Sequence, residues 1–126
     1  PKADPEGAGL AGFTPKISTT TAREVTLSGL PASYQISRGD YLGWTYGTNP
    51  VRYALHRAVT APAADGTGLA VVEVTPNIRP GATAGTAVSL VRPVCKMVLV
   101  PGSYAPGAAA RVFTAGATFR AQQTLR

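Results

Sequence analysis

The sequence predicts an all-β protein, either a single small β-barrel or a β-sandwich of short antiparallel strands, preceded by an extended N-terminal arm. Short runs rich in β-branched and aromatic residues recur along the chain, and turn-forming residues separate them. The 14 glycines and 11 prolines interrupt the chain every few residues, so no window favours a helix. A length of 126 residues fits one domain with a modest core.

The arm is predicted from residues 1–12, PKADPEGAGLAG, which show no hydrophobic periodicity. Dense glycine and proline without periodicity is typical of a linker, or of an arm that lies across a neighbouring molecule. We therefore expect residues 1–15 to be extended, to need a partner for order, and to precede a single β domain at residues 16–126. Because the chain starts at Pro1 without Met, we also expect it to be part of a longer product.

The β domain is predicted to contain a series of short strands. They are residues 16–20, 24–28, 41–46, 51–59, 69–75, 86–91, 95–100, 111–114 and 118–125. Asn49-Pro50 and Asp65-Gly66 lie between pairs of these runs, and Asp-Gly is a strong hairpin signal. Strands 51–59 and 69–75 are therefore predicted to be neighbours. Proline cannot donate to a central ladder, so we expect Pro76, Pro80 and Pro93 to mark strand ends or edges.

The tripeptide Arg38-Gly39-Asp40 raises the question of an integrin-type adhesion signal. Such a signal sits at the tip of an exposed loop. Here Asp40 leads directly into residues 41–46, YLGWTY, whose side chains alternate in character as in a half-buried strand. The pattern predicts a turn that opens a strand, and Arg38 has no special part in it.

The charge balance gives no clear indication of a nucleic-acid partner. Lys plus Arg outnumber Asp plus Glu by 12 to 6, for a net charge of +6. The arginines are scattered singly, however, and do not alternate with aromatic residues as in single-strand binders. No apolar run approaches the roughly 18 residues that a membrane helix needs. The sequence therefore predicts neither a nucleic-acid interface nor a membrane anchor.

Residues for catalysis are sparse. His56 is the one histidine, and we expect it to be a structural side chain on the wetter face of its strand. A pair of carboxylates would have to come from Glu24, Asp40 and Glu73, and only strand pairing could bring them together. Nothing in the sequence suggests a phosphate loop or a metal cluster. We predict that the protein is not an enzyme and has no cofactor.

Cys95 is the one cysteine, so an intramolecular disulfide and a four-cysteine zinc site are excluded. It lies at the start of the predicted strand 95–100. Alternation places it on one face with Met97 and Leu99. The expectation is a small buried hydrophobic residue rather than a nucleophile.

The aromatic residues form one candidate ligand platform. Tyr41, Trp44, Tyr46 and Tyr53 lie on two consecutive predicted strands and could stack against sugar rings. In a small β domain such residues also close the core or an interface. Both interpretations, a glycan platform and an interface, stay open at the sequence level.

Several segments resemble one protein family. They are GLPASYQISRGDYLGWTYGTNPVRYALHRAV, then ADGTG, VEVTPNIRPG, TAVSLVRPVCKMVLVPG and the closing TFRAQQTLR. Together they resemble tail proteins of tailed bacteriophages and prophages, especially of α-proteobacteria, over about residues 27–126. The family pattern matches a strand start at residues 39–42, an "ALH" strand at residues 54–57, an edge at residues 72–80 and a strand at residues 88–99. Family members carry a preceding portion similar to the ring-forming part of distal tail proteins.

The resemblance implies a structural role in the tail tip or baseplate of a virion assembled in the bacterial cytoplasm. The expected partners are other tail proteins and copies of this chain. We expect the contacts at the arm, at the C-terminal strand 118–126 and at its arginines, Arg120 and Arg126. The alternative is a receptor-recognition module that binds glycan through the four aromatic residues.

Overall fold

The computed structural model describes residues 1–109 and 114–124. In this part of the chain the structure is nearly all β, with the short 3-10 turn Ala8–Leu10 as its helical element. The strands are β1 Lys16–Thr20, β2 Glu24–Ser28, β3 Tyr41–Tyr46, β4 Arg52–Ala58, β5 Ala70–Thr75, β6 Met97–Leu99, β7 Ala108–Ala109, β8 Thr114–Ala115 and β9 Ala121–Gln123. The predicted all-β class and its short antiparallel strands are confirmed.

Strands β1 to β5 form one antiparallel sheet in the order β1-β2-β5-β4-β3. Residues 86–90 link its two edges, because Ala87 pairs with Lys16 of β1 and Ser89 pairs with Gly43 of β3. The backbone N–H of Ser89 donates to the carbonyl oxygen of Gly43 at 2.8 Å. The sheet is therefore curled as in a barrel, and we call β1 to β5 with residues 86–90 the barrel. The strand predicted over residues 86–91 is reduced to these two isolated bridges.

The connections between strands follow the predicted turns in part. β3 and β4 pair along their whole length across the turn at residues 47–51. β4 and β5 are neighbours, as predicted, but they share only the pairs Arg57–Thr75 and Ala58–Val74. Asp65 and Gly66 lie within a long loop, residues 59–69, in which the Asp65 carboxylate accepts hydrogen bonds from the backbone N–H groups of Thr67 and Leu69. β5 pairs instead along β2, from Glu24–Glu73 to Leu27–Ala70.

The core fills the inside of the curled sheet. Alternating residues of the strands point inward, so β2 buries Val25 and Leu27, and β5 buries Val72. Residues 86–90 add Val88 and Leu90 to the same core. Full burial of one such side chain contributes about 1.5–3 kcal/mol relative to exposure, so closing the barrel is strongly favoured.

The N-terminal segment differs from the extended arm that its composition predicts. Residues 1–12 form a series of turns and fold back on the barrel, where Leu10 is buried. The backbone N–H of Lys2 donates to Asp40 Oδ1 at 2.6 Å, and the Tyr34 hydroxyl donates to Asp4 Oδ2 at 3.2 Å. The physical reason is that this segment has partners for its polar groups and for one large apolar side chain within its own chain.

The remaining strands form two small sheets beyond the barrel. β6 pairs with β9, and β7 pairs with β8. We call these two pairs, with their connecting residues within 97–109 and 114–123, the ribbon. The predicted strand 95–100 shrinks to β6, and 118–125 shrinks to β9. Most of the predicted strand 111–114 lies outside the described residues, as do Leu125 and Arg126.

The predicted burial of Cys95 with Met97 and Leu99 is wrong. Cys95 is half-buried and precedes β6, while Met97 and Leu99 are both exposed. The sequence correctly indicates the strand, but β6 has one neighbour and no layer covers either of its faces in the described residues. Alternation alone does not create a buried side.

Candidate functional site

The four predicted platform aromatics do not lie on one surface. On β3 and β4, cross-strand pairs share a face, and successive residues alternate between faces. Trp44 points into the core and is 5% exposed, and Tyr46 is partly buried against the same core. Tyr41 and Tyr53 point outward and are exposed. The sheet therefore separates the four rings into an inner pair and an outer pair.

Trp44 stacks on His56, its neighbour on the core face. Their ring centroids are 4.6 Å apart with an interplanar angle of 18°. The prediction that His56 occupies the wetter face is wrong, since it is buried. Its Nδ1 lies 2.8 Å from the carbonyl oxygen of Pro76, and a carbonyl can only accept, so Nδ1 carries the proton. Burial lowers the pKa of His56 below its ordinary value of 6.5 despite this bond.

A small cavity of about 120 Å³ lies beside this stack. Its lining comes from Trp44 and Tyr46 of β3, from Pro76 and Ile78 in the segment after β5, and from Gln123 of β9. The barrel and the ribbon therefore meet at this point. The space is enough for one small apolar group.

The tripeptide Arg38-Gly39-Asp40 forms a turn before β3, which confirms that part of the sequence interpretation. Asp40 is buried, and its carboxylate accepts hydrogen bonds from the backbone N–H groups of Ser37 at 2.8 Å and Lys2 at 2.6 Å. An adhesion signal needs this carboxylate free for a receptor-bound cation. Here it fixes the turn and the N-terminal segment instead.

A second polar contact holds the N-terminal segment. Asp4 Oδ2 accepts from the Tyr34 hydroxyl at 3.2 Å and from the backbone N–H of Gly9 at 2.9 Å. Burial, with the charge of Asp4 and its hydrogen bond, raises the pKa of Tyr34 to about 12. Tyr34 therefore stays a neutral donor throughout the ordinary pH range, as the contact with a carboxylate requires.

On the outer face of the barrel, Arg38 and Arg57 line a cleft of about 240 Å³. The rest of its lining comes from Gly39, Ala58, Val59 and Thr75. Arg57 belongs to β4 and Thr75 to β5, where the two residues are cross-strand partners. No local sequence pattern indicates this cleft, because Arg57 lies far from the turn in the chain and only the strand register brings the two together.

Strand pairing also brings together two of the three candidate carboxylates. Glu24 of β2 lies directly opposite Glu73 of β5. Glu24 is exposed, and Glu73 faces Arg23 at 3.6 Å. Asp40 is not part of this pair, since its carboxylate is occupied in the turn. In the part of the chain that the structure describes, no three His, Cys, Asp or Glu residues are grouped to hold a metal ion.

The ribbon presents large apolar side chains to solvent. Tyr104 and Phe119 are each 64% exposed, and Val98 in the centre of β6 is 57% exposed. The ribbon's internal contacts are mainly polar: the Ser103 hydroxyl donates to the carbonyl oxygen of Val100 at 2.6 Å and accepts from the backbone N–H of Arg120 at 3.0 Å. Sequence analysis missed Ser103, which no pattern distinguishes from other loop serines.

The two predicted interface arginines have different outcomes. Arg120 lies in the ribbon, is exposed, and accepts a backbone hydrogen bond from Val100 at 2.9 Å. Arg126 lies outside the described residues. The ribbon thus holds one predicted contact residue beside the exposed apolar set.

Comparison of the chain with protein-family models, with curated proteins and with solved structures gave no match. Among the described residues, no helix is long and apolar enough to cross a membrane.

Proposed function

We propose that this protein is a structural component of a phage tail tip or baseplate, and that it works through protein–protein contacts. The observation that carries the assembly role is the ribbon, in which every large apolar side chain that the structure describes is exposed, whereas the barrel buries most of its own. The tail assignment rests on the resemblance of residues 27–126 to phage tail proteins. Its partners are then copies of this chain and other tail proteins within the virion.

The ribbon has the physical properties of an interface that lacks its other half. An isolated two-stranded sheet is marginally stable in water. Contiguous exposed apolar surface is typical of contact sites. In the described residues each ribbon strand has one partner, so the outer edges of these pairs present unpaired backbone groups. Contact with a neighbouring subunit would cover these side chains and would also provide hydrogen-bond partners for the backbone groups at the strand edges.

The large exposed apolar residues of the ribbon lie on β6 and in the segments that follow β6 and precede β9. They are Met97, Val98, Leu99, Val100, Tyr104 and Phe119. Interfaces are enriched in aromatic residues, methionine and arginine, and Arg120 lies beside this set. The composition therefore favours a protein surface as the partner.

The geometry does not favour the alternative of a glycan platform in which Tyr41, Trp44, Tyr46 and Tyr53 act together. The sheet puts these rings on opposite faces, and Trp44 is covered by the core and by His56. A sugar could stack on at most the outer pair. The assembly proposal needs no such platform.

A matched pair of substitutions tests the proposal. Val98→Asp places a charge in the ribbon, and Val71→Asp places it on the barrel, at a strand position of similar exposure, 57% against 53%. Light scattering over a dilution series measures the mass of each variant. We expect the wild type and Val71→Asp to self-associate with the same midpoint, and Val98→Asp to stay monomeric. A monomeric wild type, or equal effects of both substitutions, would refute assembly through the ribbon.

A further inference from the structure

The cleft between Arg38 and Arg57 is positively charged and has no counter-charge of its own. Among the described residues the one ion pair joins Arg23 to Glu73, so neither cleft guanidinium is paired. None of the six lining residues is acidic. The nearest acid in the chain, Asp40, is buried and already accepts two backbone hydrogen bonds. Two like charges on one concavity repel each other, and a bound anion would relieve that repulsion.

The guanidinium of Arg57 lies close against the turn at Gly39. Gly39 adopts φ +94°, a left-handed conformation that favours glycine. A Cβ at this position would lie 3.1 Å from Nη2 and 3.5 Å from Nε of Arg57. Because Gly39 has no side chain, the guanidinium of Arg57 can pack directly on the backbone of the turn. A guanidinium packed in this way loses less conformational entropy on binding than that of a free surface arginine.

An exposed aromatic ring lies beside the cleft. Tyr41 is the cross-strand partner of Arg57, which in turn pairs with Thr75. Paired residues share a face, so the outer surface carries the row Tyr41, Arg57 and Thr75 across three strands. Tyr41 is 52% exposed. The row thus places an aromatic ring, a guanidinium and a hydroxyl next to one another, and Arg38 lines the same cleft as Arg57 and Thr75.

We propose that this cleft binds the carboxylate of an acidic saccharide, such as a uronic acid unit, with the sugar ring against Tyr41. A guanidinium matches a carboxylate with two parallel hydrogen bonds, and the Thr75 hydroxyl can bond a neighbouring sugar hydroxyl. A nucleic-acid strand would need a longer positive track, and the arginines outside the cleft are scattered. This site lies on the barrel and does not depend on assembly through the ribbon.

The test is a titration of the full chain with oligogalacturonate, followed by amide chemical shifts and calorimetry. We expect shifts at Gly39, Arg57 and Thr75, and no binding of an uncharged oligosaccharide of the same length. Arg57→Gln or Arg38→Gln should weaken binding at least tenfold, because each substitution removes a charged hydrogen-bond donor to the carboxylate. Tyr41→Ala should weaken it several-fold by removing the ring contact.

The control is Arg52→Gln, which removes the same charge from the same strand. Arg52 pairs with Tyr46 and belongs to the opposite face of β4 from Arg57. The affinity of the Arg52→Gln variant for oligogalacturonate should equal that of the wild type. The proposal is overturned if the wild type does not bind, if Arg52→Gln is as weak as Arg57→Gln, or if the neutral oligosaccharide binds equally well. Binding of inorganic phosphate or an oligonucleotide in preference to oligogalacturonate would overturn it as well.

Discussion

The barrel and the ribbon are built from similar sequence and have opposite surroundings. Both contain short runs of valine and leucine between turns, and both form antiparallel pairs. In the barrel, Leu27 and Val72 are fully buried, while Val98 and Leu99 of the ribbon are exposed. The difference comes from closure: residues 86–90 link the edges of the curled sheet and give it an inside. A two-stranded pair has no inside, so its apolar residues stay exposed in the single chain.

The largest difference in stability between the two regions should appear when a leucine is replaced by alanine in each of them. Leu27→Ala should destabilise the protein by about 2–5 kcal/mol, because it leaves a cavity in the barrel core. Leu99→Ala should change the free energy of unfolding by less than about 0.5 kcal/mol in the monomer, since no layer covers that residue. Urea denaturation of both variants at low protein concentration measures the two values. Equal losses would mean that the ribbon is packed like the barrel.

Two glycines in the loop of residues 59–69, between β4 and β5, test how this loop is fixed to the rest of the protein. Gly68 has φ +80°, and a Cβ there would clash with the carbonyl oxygen of Leu30. Gly68→Ala should therefore cost at least about 1–2 kcal/mol from the backbone conformation alone. Gly66, two residues earlier, has open space around it. Gly66→Ala should be neutral, or stabilising by up to about 1 kcal/mol.

Thermal unfolding of the two glycine variants, followed by circular dichroism, distinguishes them. The expected order of melting temperatures is Gly66→Ala at or above the wild type and Gly68→Ala clearly below it. If both variants melt together, the loop is not fixed against Leu30 and its contribution to the barrel is smaller than the structure indicates.

The smallest effect concerns the pH dependence of the barrel core. Because burial lowers the folded-state pKa of His56 below 6.5, the unfolded chain binds a proton first as the pH falls. The contribution of His56 to stability is therefore complete above pH 6.5 and is lost as the pH falls toward its folded pKa, with a slope of at most about 1.4 kcal/mol per pH unit.

His56→Phe keeps a ring against Trp44 and removes the titration. Its free energy of unfolding should vary less than that of the wild type between pH 7.5 and about pH 5.5, above the range where carboxylates titrate. Denaturation at several pH values in this window gives the comparison. The same slope in both proteins would show that His56 is protonated equally in the folded and unfolded chains.

The sequence predicted local features of the barrel well. The bounds of β1, β2 and β3 match the predicted strands, because alternation and flanking turns are local signals. The link between the sheet edges through residues 86–90 and the pairing of β5 with β2 could not be predicted. Both depend on contacts between segments far apart in the chain, which no local pattern encodes.

Two predictions about individual side chains are wrong for related reasons. His56 was placed on the wrong face, because the inner face of its strand carries Arg52 while the outer face carries Tyr53 and Leu55, so hydrophobicity favours the outer face. The exposed state of Met97 and Leu99 could not be predicted, since a strand pattern does not state whether a second layer exists. The cleft between Arg38 and Arg57 could not be predicted either, because it forms only when the register of β4 brings Arg57 beside the turn that precedes β3.

The central claim is that the ribbon becomes buried only when subunits associate. Hydrogen–deuterium exchange at high and low protein concentration measures this directly for each region. We predict that amides of β2, β4 and β5 are protected at both concentrations, whereas those of β6 and β9 are protected only at the high one. Equal protection of β6 and β9 at both concentrations, or exchange without protection at both, would contradict the claim.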